Sequence, residues 1–436
     1  MRGKIKILFT DLSYLDHNYG SQAIAFSLME KLNKYFDVEY TFALLDVYYK
    51  NDIEFSKKYN FNIVPISSRP LVILGECFPF IHLLYNFILV LKGKRTITRK
   101  EKEESFVFIE EIKKSDTVID LSGIEFVESA NLRKKWLTYI ITFCPQYLAE
   151  KYNKLYLKYT KSYGPFRSGI YKFFVKRVLT KLPFLLVRGE ENLKELRSLN
   201  LKIPLYSFPD ISLFLQPESR DWAFNYVSNL NINPRKKIVG LSPSAVIANI
   251  KDNNDSSCGD NHLRLCEKVI NFYRENCDQI ILFPHSIGDG KEISSCDLAL
   301  ARDFYNRLKN KTNIFLIEDT NLTYKQARAI VGLMDFYVTG RYHSVSSALF
   351  MGVPVVSLSW HTKYRDIMSL FLNNAPIINC RKTNTEEAFS LIKKYYYDRS
   401  WFDKKKLLEK RKEVEQRINV NIELIVNEIK KSFFLK

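Results

Sequence analysis

Arg341 and His343 are the residues of this sequence best suited to chemistry on an anionic ligand. They follow an apolar run that starts at Phe336 and ends at Gly340, and they precede a helical pattern that ends at Gly352. A helix N-terminus binds phosphate or carboxylate, and an arginine adds a bidentate fork. A histidine titrates near neutrality and can move a proton beside that anion. We predict that Arg341 and Gly340 contact an anion and that His343 transfers a proton; a capping arginine beside a structural histidine is the alternative.

A second candidate site begins where another apolar run ends, at Phe283. His285 and Ser286 follow that run, and the Gly-Asp-Gly sequence at 288–290 could lay backbone amides against a ligand. Two other loops also follow an apolar run: residues 162–166, which include Gly164, and residues 241–244. We predict that these loops contact substrate.

The segment from Asn18 to Ser21 lies between the first apolar run and a helix that is expected to start near Ala23. Gly20 and Ser21 are small and allow a ligand to approach the backbone at the helix start. We predict that Asn18, Gly20 and Ser21 bind the acceptor. Ordinary helix capping is the competing interpretation.

The elements that must position these residues are short β-rich runs that alternate with longer helical patterns. The runs form two series, one at 5–9, 40–45, 117–120, 155–159 and 184–187, the other at 238–241, 280–283, 314–317, 336–338 and 355–358. Such alternation is typical of parallel sheets with crossover helices. We predict an α/β protein with two doubly wound, Rossmann-like domains facing a cleft, at 1–215 and 216–436, and ligands at the carboxyl ends of the strands.

The composition and the absence of known motifs limit which classes of ligand and partner are expected. The formal net charge of +18 favours polyanions, phosphorylated substrates or acidic lipid. No finger spacing, RNP pattern or isolated basic recognition helix occurs, which disfavours nucleic acid. Seven cysteines without a CxxC pair disfavour a disulfide framework and a structural zinc site. The absence of GxGxxG, GxxxxGK[ST], GxSxG, HExxH and DxD disfavours dinucleotide, P-loop, hydrolase and metal-dependent chemistry, so we expect no metal.

The apolar segment 71–91 is nearly long enough to span a bilayer, but it contains Glu76, Pro79 and His82. Because KGKR follows, in-plane contact with an anionic membrane is one interpretation and a buried helical pair is the other. The basic stretch 171–186 adds to the membrane interpretation. The tail 401–434 is predicted to form one or two amphipathic helices. Since the N-terminus lacks a signal-peptide pattern, we expect a cytoplasmic location, at the inner face of the cell membrane if lipid is contacted.

In order, HNYGSQAI, TVIDLSGIEF, KSYGPF, FLLVRGEENLKEL, FPDISLFL, IVGLSP, ILFPHS and GRYHSVSSALFMGVPVV resemble the polysaccharide pyruvyl transferase family. The resemblance covers about 5–364, and its last segment is the most specific. It implies a glycosyltransferase-B-like fold, with the acceptor on the N-terminal domain and the donor on the C-terminal domain. It also implies transfer from phosphoenolpyruvate, as donor substrate without a cofactor, to two hydroxyls of a sugar. The product would be a pyruvate ketal on a surface polysaccharide or its lipid-linked precursor.

By the same resemblance His343 would be the general acid and Arg341 would clamp carboxylate or phosphate. Arg188 and His285 fall at signature positions, and Lys363 is a further anion contact. The chain departs from the family where Ser21 and Gly189 replace usual acidic residues. A glycosyltransferase of the same fold that uses a nucleotide sugar, or a non-catalytic scaffold of a capsule-assembly complex, therefore stay open as alternatives.

Overall fold

A computed structural model gives the fold of the chain. It describes residues 4–12, 15–45, 49–66, 70–77, 81, 85–87, 89–90, 95–128, 132–250, 257–276, 279–287 and 296–434. The Gly-Asp-Gly sequence predicted to contact substrate, at 288–290, lies outside these residues. So does part of the apolar segment 71–91.

The chain divides into two compact units. Unit 1 comprises residues 1–16, 28–210 and 419–436, and unit 2 comprises residues 17–27 and 211–418. This division differs from a single boundary at 215/216 because two short segments belong to the unit that is remote in sequence. Residues 17–27 are part of unit 2, and the C-terminal residues from 419 are part of unit 1.

Unit 1 is built on a five-stranded parallel sheet. Its main strands are β1 (Ile5–Leu12), β2 (Val38–Leu45), β3 (Asn62–Ile66), β4 (Thr117–Asp120) and β6 (Leu155–Lys158), in the order β3-β2-β1-β4-β6. Two small parallel pairs accompany it, β5 (Ile124–Glu125) with β7 (Ser162–Tyr163) and β8 (Leu185–Arg188) with β9 (Leu205–Phe208). Since β4 lies on the other side of β1 from β2, the switch in strand order falls between β1 and β4. Doubly wound sheets bind ligands at that point.

The helices of unit 1 cover this sheet with apolar faces. They are α1 (Tyr19–Leu32, which starts in unit 2), α2 (Tyr49–Tyr59), α3 (Pro70–Cys77), α4 (Arg99–Lys114), α5 (Leu132–Lys151), α6 (Gly169–Leu179) and α7 (Glu190–Arg197). Helix α4 begins at a capping box in which Thr98 and Glu101 satisfy each other's backbone N–H groups. Val72 and Ile73 of α3 are buried. The start of segment 71–91 is therefore a buried helix, as one of the two interpretations expects.

Unit 2 is a six-stranded parallel sheet. Its strands are β10 (Ile238–Ser242), β11 (Gln279–Leu282), β12 (Ile314–Leu316), β13 (Phe336–Thr339), β14 (Val355–Ser359) and β15 (Ile377–Asn379), in the order β12-β11-β10-β13-β14-β15. This order is the Rossmann order 3-2-1-4-5-6. Ligands are therefore expected beside the carboxyl ends of β10 and β13.

The helices in the described part of unit 2 precede, connect or follow these strands. They are α8 (Arg220–Asn229), α9 (Ala245–Ala248), α10 (His262–Glu275), α11 (Asp297–Arg307), α12 (Tyr324–Val331), α13 (Tyr342–Met351), α14 (Lys363–Ser369), α15 (Thr385–Tyr397) and α16 (Lys404–Phe434). Helix α13 ends at Gly352, whose φ of 69° suits a residue without Cβ. The tail is one helix, α16, which runs from unit 2 into unit 1.

Candidate active site

Asp297 holds together three loops at the carboxyl edge of the unit 2 sheet. Its carboxylate is fully buried and accepts N–H groups from Ala245 at 2.9 Å and Ser286 at 3.1 Å. It also binds the Arg341 guanidinium twice, at 2.7 Å to Nε and 2.5 Å to Nη2. These partners follow β10, β11 and β13, and Asp297 itself is the first residue of α11. A bidentate pair of this kind fixes the plane of the guanidinium as well as its position.

His343 lies in the first turn of α13, and its ring packs against Gly20. A Cβ added to Gly20 would be 2.4 Å from His343 Nδ1 and 2.8 Å from Cε1. The ring also makes an edge contact with Tyr342, with centroids 5.2 Å apart. The residue as a whole is partly buried, but the Nε2 atom of its ring is fully buried.

The first turn of α1 is joined to unit 2 by backbone and side-chain hydrogen bonds. Asn18 Oδ1 accepts the N–H groups of Gly20 and Ser21, both at 3.1 Å, which is the capping of the competing interpretation; acceptor binding by these residues stays a prediction. Asn18 also pairs with Ser286 in an antiparallel bridge. Gln22 Oε1 accepts the N–H of Tyr324 at 3.0 Å. These contacts bring Asn18, Gly20 and Ser21 to the same unit as His343.

His285 is a buried, neutral imidazole in this group. Its ring makes edge contacts with Tyr19 and Tyr324, at centroid distances of 5.3 and 6.5 Å. Burial, and after it the positive charges of His343, Arg341 and Arg328, hold the pKa of His285 well below its usual range. Among the described residues, no hydrogen-bond partner contacts its Nε2 atom. A neutral imidazole can bind a ligand oxygen without adding charge.

Replacing Gly20 by alanine tests whether the position of the His343 ring matters. The new methyl group must displace the imidazole, and misplacement of a catalytic group by about 1 Å can cost roughly 100-fold in rate. We expect turnover to fall by roughly 10- to 100-fold, while thermal stability holds or rises because alanine favours a helix. Gly169→Ala is the matched control, since nothing lies within 4 Å of a Cβ added there. Full activity of Gly20→Ala would show that the ring position is irrelevant.

Lys363 lies between the His343 region and a cleft in unit 2. Its Nζ atom is 4.6 Å from the ring centroid of Trp360 and 5.6 Å from that of Tyr342. The cleft measures about 610 Å³ and lies at the carboxyl ends of β14 and β15. Arg365 and Arg381 line it together with Trp360, and none of its lining residues, all of them in the described part of the chain, is acidic. The cleft therefore suits an anionic ligand of saccharide size.

Several other candidate residues are held by close packing or by hydrogen bonds of their backbone. Gly340 is buried, and a Cβ added there would be 2.1 Å from Ile247 Cδ1. In the loop 241–244, the Ser244 N–H donates to His262 Nε2 at 2.9 Å. The Ser286 N–H donates to Asp297. The N–H groups of Ser244 and Ser286 are thus bound within unit 2, and substrate contact by these residues stays a prediction.

Arg188 and Gly164 belong to unit 1. Arg188 ends β8 and forms a buried ion pair with Asp210, 2.7 Å between Nη2 and Oδ2. In the loop 162–166, Gly164 has a φ of 73°, and the Phe166 N–H donates to Glu195 at 2.8 Å. The positive φ therefore explains why a glycine stands at position 164. Asp210 supplies Arg188 with a carboxylate partner, which residue 189, a glycine, cannot supply.

A network of charged side chains, which sequence reasoning missed, lies at the switch point of the unit 1 sheet. Lys158 Nζ binds Asp120 at 2.8 Å and Glu125 at 2.9 Å, and Lys161 Nζ binds Glu125 at 2.9 Å and also contacts Asp120. All four side chains are buried. Asp11 in β1 joins the network from the neighbouring strand with a φ of 62°, a conformation unusual for a non-glycine residue.

Two carboxyls of this network have pKa values raised to near neutral pH. Burial, and after it the Asp120 charge, raises the pKa of Asp11 to about 8 and that of Glu125 to about 7. Burial also acts to raise the pKa of Asp120, but Lys158 and Lys161 outweigh it and hold that pKa well below its usual range. A partly buried carboxyl with a pKa near 8 can take up a proton from a ligand under physiological conditions.

This network predicts how stability depends on pH. The raised pKa values mean that folding favours the protonated carboxyls, so their contribution is complete below their ordinary pKa values and lost as pH rises through about 8. The Asp11→Asn substitution removes the largest part of this pH-dependent contribution to stability. We expect the free energy of unfolding to fall less between about pH 6 and pH 9 in this variant than in the unmodified protein. Denaturant unfolding at several pH values measures this free energy, and Asp37→Asn, at an exposed aspartate, is the control. The same pH dependence in Asp11→Asn and the unmodified protein would contradict the raised pKa of Asp11.

The described residues contain neither a cluster of metal ligands nor a helix that could span a membrane. No group of three or more His, Cys, Asp or Glu side chains in that part of the chain is placed to hold a metal ion. None of its helices combines the length and apolarity needed to cross a bilayer.

Solved structures resemble this chain over nearly its whole length. A glycosyltransferase from Rickettsia africae ESF-5 is 10% identical with a TM-score of 0.56 and covers 99% of each chain. The S. aureus MnaA–UDP co-structure is 12% identical with a TM-score of 0.54, covering 99% of this chain and 98% of that chain. UDP-GlcNAc 2-epimerase from Neisseria meningitidis, bound to UDP-GlcNAc, is 9% identical with a TM-score of 0.52 and covers 100% of both. These likenesses confirm the glycosyltransferase-B-like α/β fold.

Sequence comparison identifies the family. No curated protein matches the chain. The model of one family, described as polysaccharide pyruvyl transferase, matches residues 18–362, which includes both the Asn18 turn and the Arg341–His343 segment. The chain therefore belongs to the polysaccharide pyruvyl transferase family.

Proposed function

We propose that the protein transfers the pyruvyl group of phosphoenolpyruvate to two hydroxyls of one sugar, forming a pyruvate ketal. The sugar belongs to a surface polysaccharide, such as a capsule, or to its lipid-linked precursor. The observation that carries this proposal is that a guanidinium oriented by a carboxylate, Arg341, and a partly buried imidazole, His343, lie two residues apart after the carboxyl end of β13 in unit 2.

The reaction requires one proton donor and one place for a leaving phosphate. A proton from His343 adds to the methylene carbon of the donor, which makes the adjacent carbon electrophilic. One sugar hydroxyl forms a C–O bond there, phosphate leaves with the electrons of its C–O bond, and the second hydroxyl closes the ketal. Of the two hydroxyl protons released, one restores the imidazolium and the other goes to phosphate.

The residues around His343 suit the donor's negative charge. Arg341 and Lys363 supply cations, and Asp297 fixes the Arg341 guanidinium so that little reorganisation accompanies the reaction. His285 supplies a neutral hydrogen-bonding group in the same unit. The first turn of α1, with Asn18, Gly20 and Ser21, lies against the His343 ring and limits where the donor can bind.

The acceptor needs a larger site than the donor. The cleft lined by Arg365, Arg381 and Trp360 has the volume for a saccharide with a phosphate group, and an indole can stack on a sugar ring. Unit 1, which the sequence predicts as the acceptor side, stays the alternative place for the acceptor.

The experiment that tests this function supplies phosphoenolpyruvate and a polysaccharide repeat-unit acceptor to the protein. We expect release of inorganic phosphate that depends on both, and an acceptor mass gain of about 70 Da from one ketal, the mass of pyruvate less water in the proton-transfer reaction above. Release of a nucleotide from a nucleotide sugar instead would establish the alternative, a glycosyltransferase of the same fold. Surface glycan without a ketal in cells that carry the active gene would overturn the proposal.

A further inference from the structure

One face of helix α6 in unit 1 exposes apolar side chains to solvent. Tyr171, Val175, Val178 and Leu179 form the buried stripe of this helix. Ile170, Phe173 and Phe174 lie on the other side, 68%, 56% and 38% exposed. Their spacing of three and four residues places them on one face, together with the exposed Arg177. Helix α6 therefore has two apolar stripes, of which the protein core covers one.

The exposed stripe is held in place by its surroundings. Glu128 accepts N–H groups from Arg167 and Ser168 at 2.5 and 2.9 Å, which anchors the start of α6. The indole of Trp136 in α5 makes an edge contact with Phe174, with centroids 5.2 Å apart. Because these contacts order the helix in advance, a partner would meet a preformed surface.

Basic side chains flank this face. Between Glu150 and Glu190 the chain contains ten Lys and Arg residues and no acidic residue, and seven of the ten lie outside the buried ion pairs of Lys158, Lys161 and Arg188. Lys172 and Lys176 lie on α6 beside the exposed stripe, and Arg167 precedes it. In the described part of unit 2, by contrast, the large exposed apolar side chains are Leu230 and Tyr397, which are remote from each other in sequence.

We propose that the exposed face of α6, formed by Ile170, Phe173, Phe174 and its flanking basic residues, docks onto an anionic membrane surface. Apolar side chains in one plane with Lys and Arg beside them match the boundary between acyl chains and acidic headgroups. This face is less suited to bind a second copy of the chain, because the α6 helix of that copy would present the same positive charge. Docking here would hold the enzyme at the inner membrane face, where a lipid-linked acceptor is found, but it depends on α6 alone and not on the proposed reaction.

Vesicle sedimentation tests this surface with the full chain. We expect binding to vesicles of phosphatidylcholine mixed with phosphatidylglycerol, weaker binding to phosphatidylcholine alone, and a loss at high salt. Ile170→Ser/Phe173→Ser should weaken binding by at least about 10-fold, and Lys172→Ala/Lys176→Ala by on the order of 10-fold. Leu230→Ser and Lys405→Ala/Lys406→Ala are the matched controls, and both should bind as the unmodified protein does.

Two outcomes would overturn the assignment. One is recovery of the unmodified protein in the supernatant with anionic vesicles. The other is unchanged vesicle binding by the Ile170→Ser/Phe173→Ser variant together with a change in its sedimentation coefficient, which would make the face a self-association surface. Phosphate release with a water-soluble acceptor should stay normal in these variants, so failure of the membrane surface and failure of the reaction are distinguishable.

Discussion

Replacing His343 by alanine is expected to lower the turnover number for pyruvyl transfer by roughly 100- to 10,000-fold, the usual contribution of a positioned general acid. The imidazole is partly buried at the start of α13 and contacts Gly20 and Tyr342. In the proposed reaction His343 protonates the donor's methylene carbon, and alanine cannot supply that proton. Stability should change little, because a partly exposed side chain contributes little to the core.

His343→Gln separates acid catalysis from binding. Glutamine retains a hydrogen-bonding end but cannot transfer a proton, so we expect kcat to fall nearly as far as in the alanine variant while the KM for phosphoenolpyruvate changes less. The limb of the pH–rate profile that depends on a histidine should also disappear. Steady-state phosphate release and a thermal melt provide these measurements. Near-normal surface ketal in cells that carry His343→Ala would favour a non-catalytic scaffold.

The alternation of strands and helices was readable from the sequence because both sheets are parallel and buried. Each of the ten runs predicted as strands coincides with an observed strand. Strands such as Val355–Ser359 are buried at every position and therefore appear as short continuous apolar runs. The strands that sequence reasoning missed include β3, which is at the sheet edge and contains Pro65, and β15, which has three residues. Half-buried edge strands give a weak pattern.

The site was predicted only in part, because its decisive contacts join residues far apart in the chain. Arg341, His343 and His285 were identifiable, since each follows an apolar strand and has chemically useful side-chain atoms. Asp297 was missed because an aspartate at a helix start looks like an ordinary first-turn residue. Its interactions with the loops after β10 and β13 depend on long-range packing that no local pattern encodes.

The same limit applies to the division of the chain. Residues 17–27 follow β1 directly, and nothing in their composition indicates that they belong to unit 2. They do so through the Asn18–Ser286 bridge and the Gln22–Tyr324 hydrogen bond. The close approach of Gly20 to His343 follows from this placement. Sequence order alone would assign the two residues to different domains.

Replacing Asp297 by alanine is expected to lower the free energy of unfolding of unit 2 by about 3–5 kcal/mol, the cost of removing one partner of a buried ion pair. The change removes the acceptor for the Ala245 and Ser286 N–H groups and for two N–H groups of Arg341. The guanidinium, whose side chain is 19% exposed, then keeps its charge without the carboxylate. Transfer activity should fall as well, since the loops that carry His285 and Arg341 lose their common anchor.

Asp303→Ala is the matched control, because Asp303 lies on the same helix and forms a more exposed i,i+4 pair with Arg307. A pair of that kind contributes only about 0–1 kcal/mol. Denaturant unfolding of Asp297→Ala, Arg341→Ala and the double variant gives the coupling energy, which we expect to be on the order of 2–3 kcal/mol for side chains in direct contact. Additive effects, or an Asp297→Ala variant as stable as Asp303→Ala, would show that the carboxylate does not organise the site. Arg341→Lys should recover only part of the coupling, since an ammonium group cannot bind both carboxylate oxygens in the plane that the guanidinium occupies.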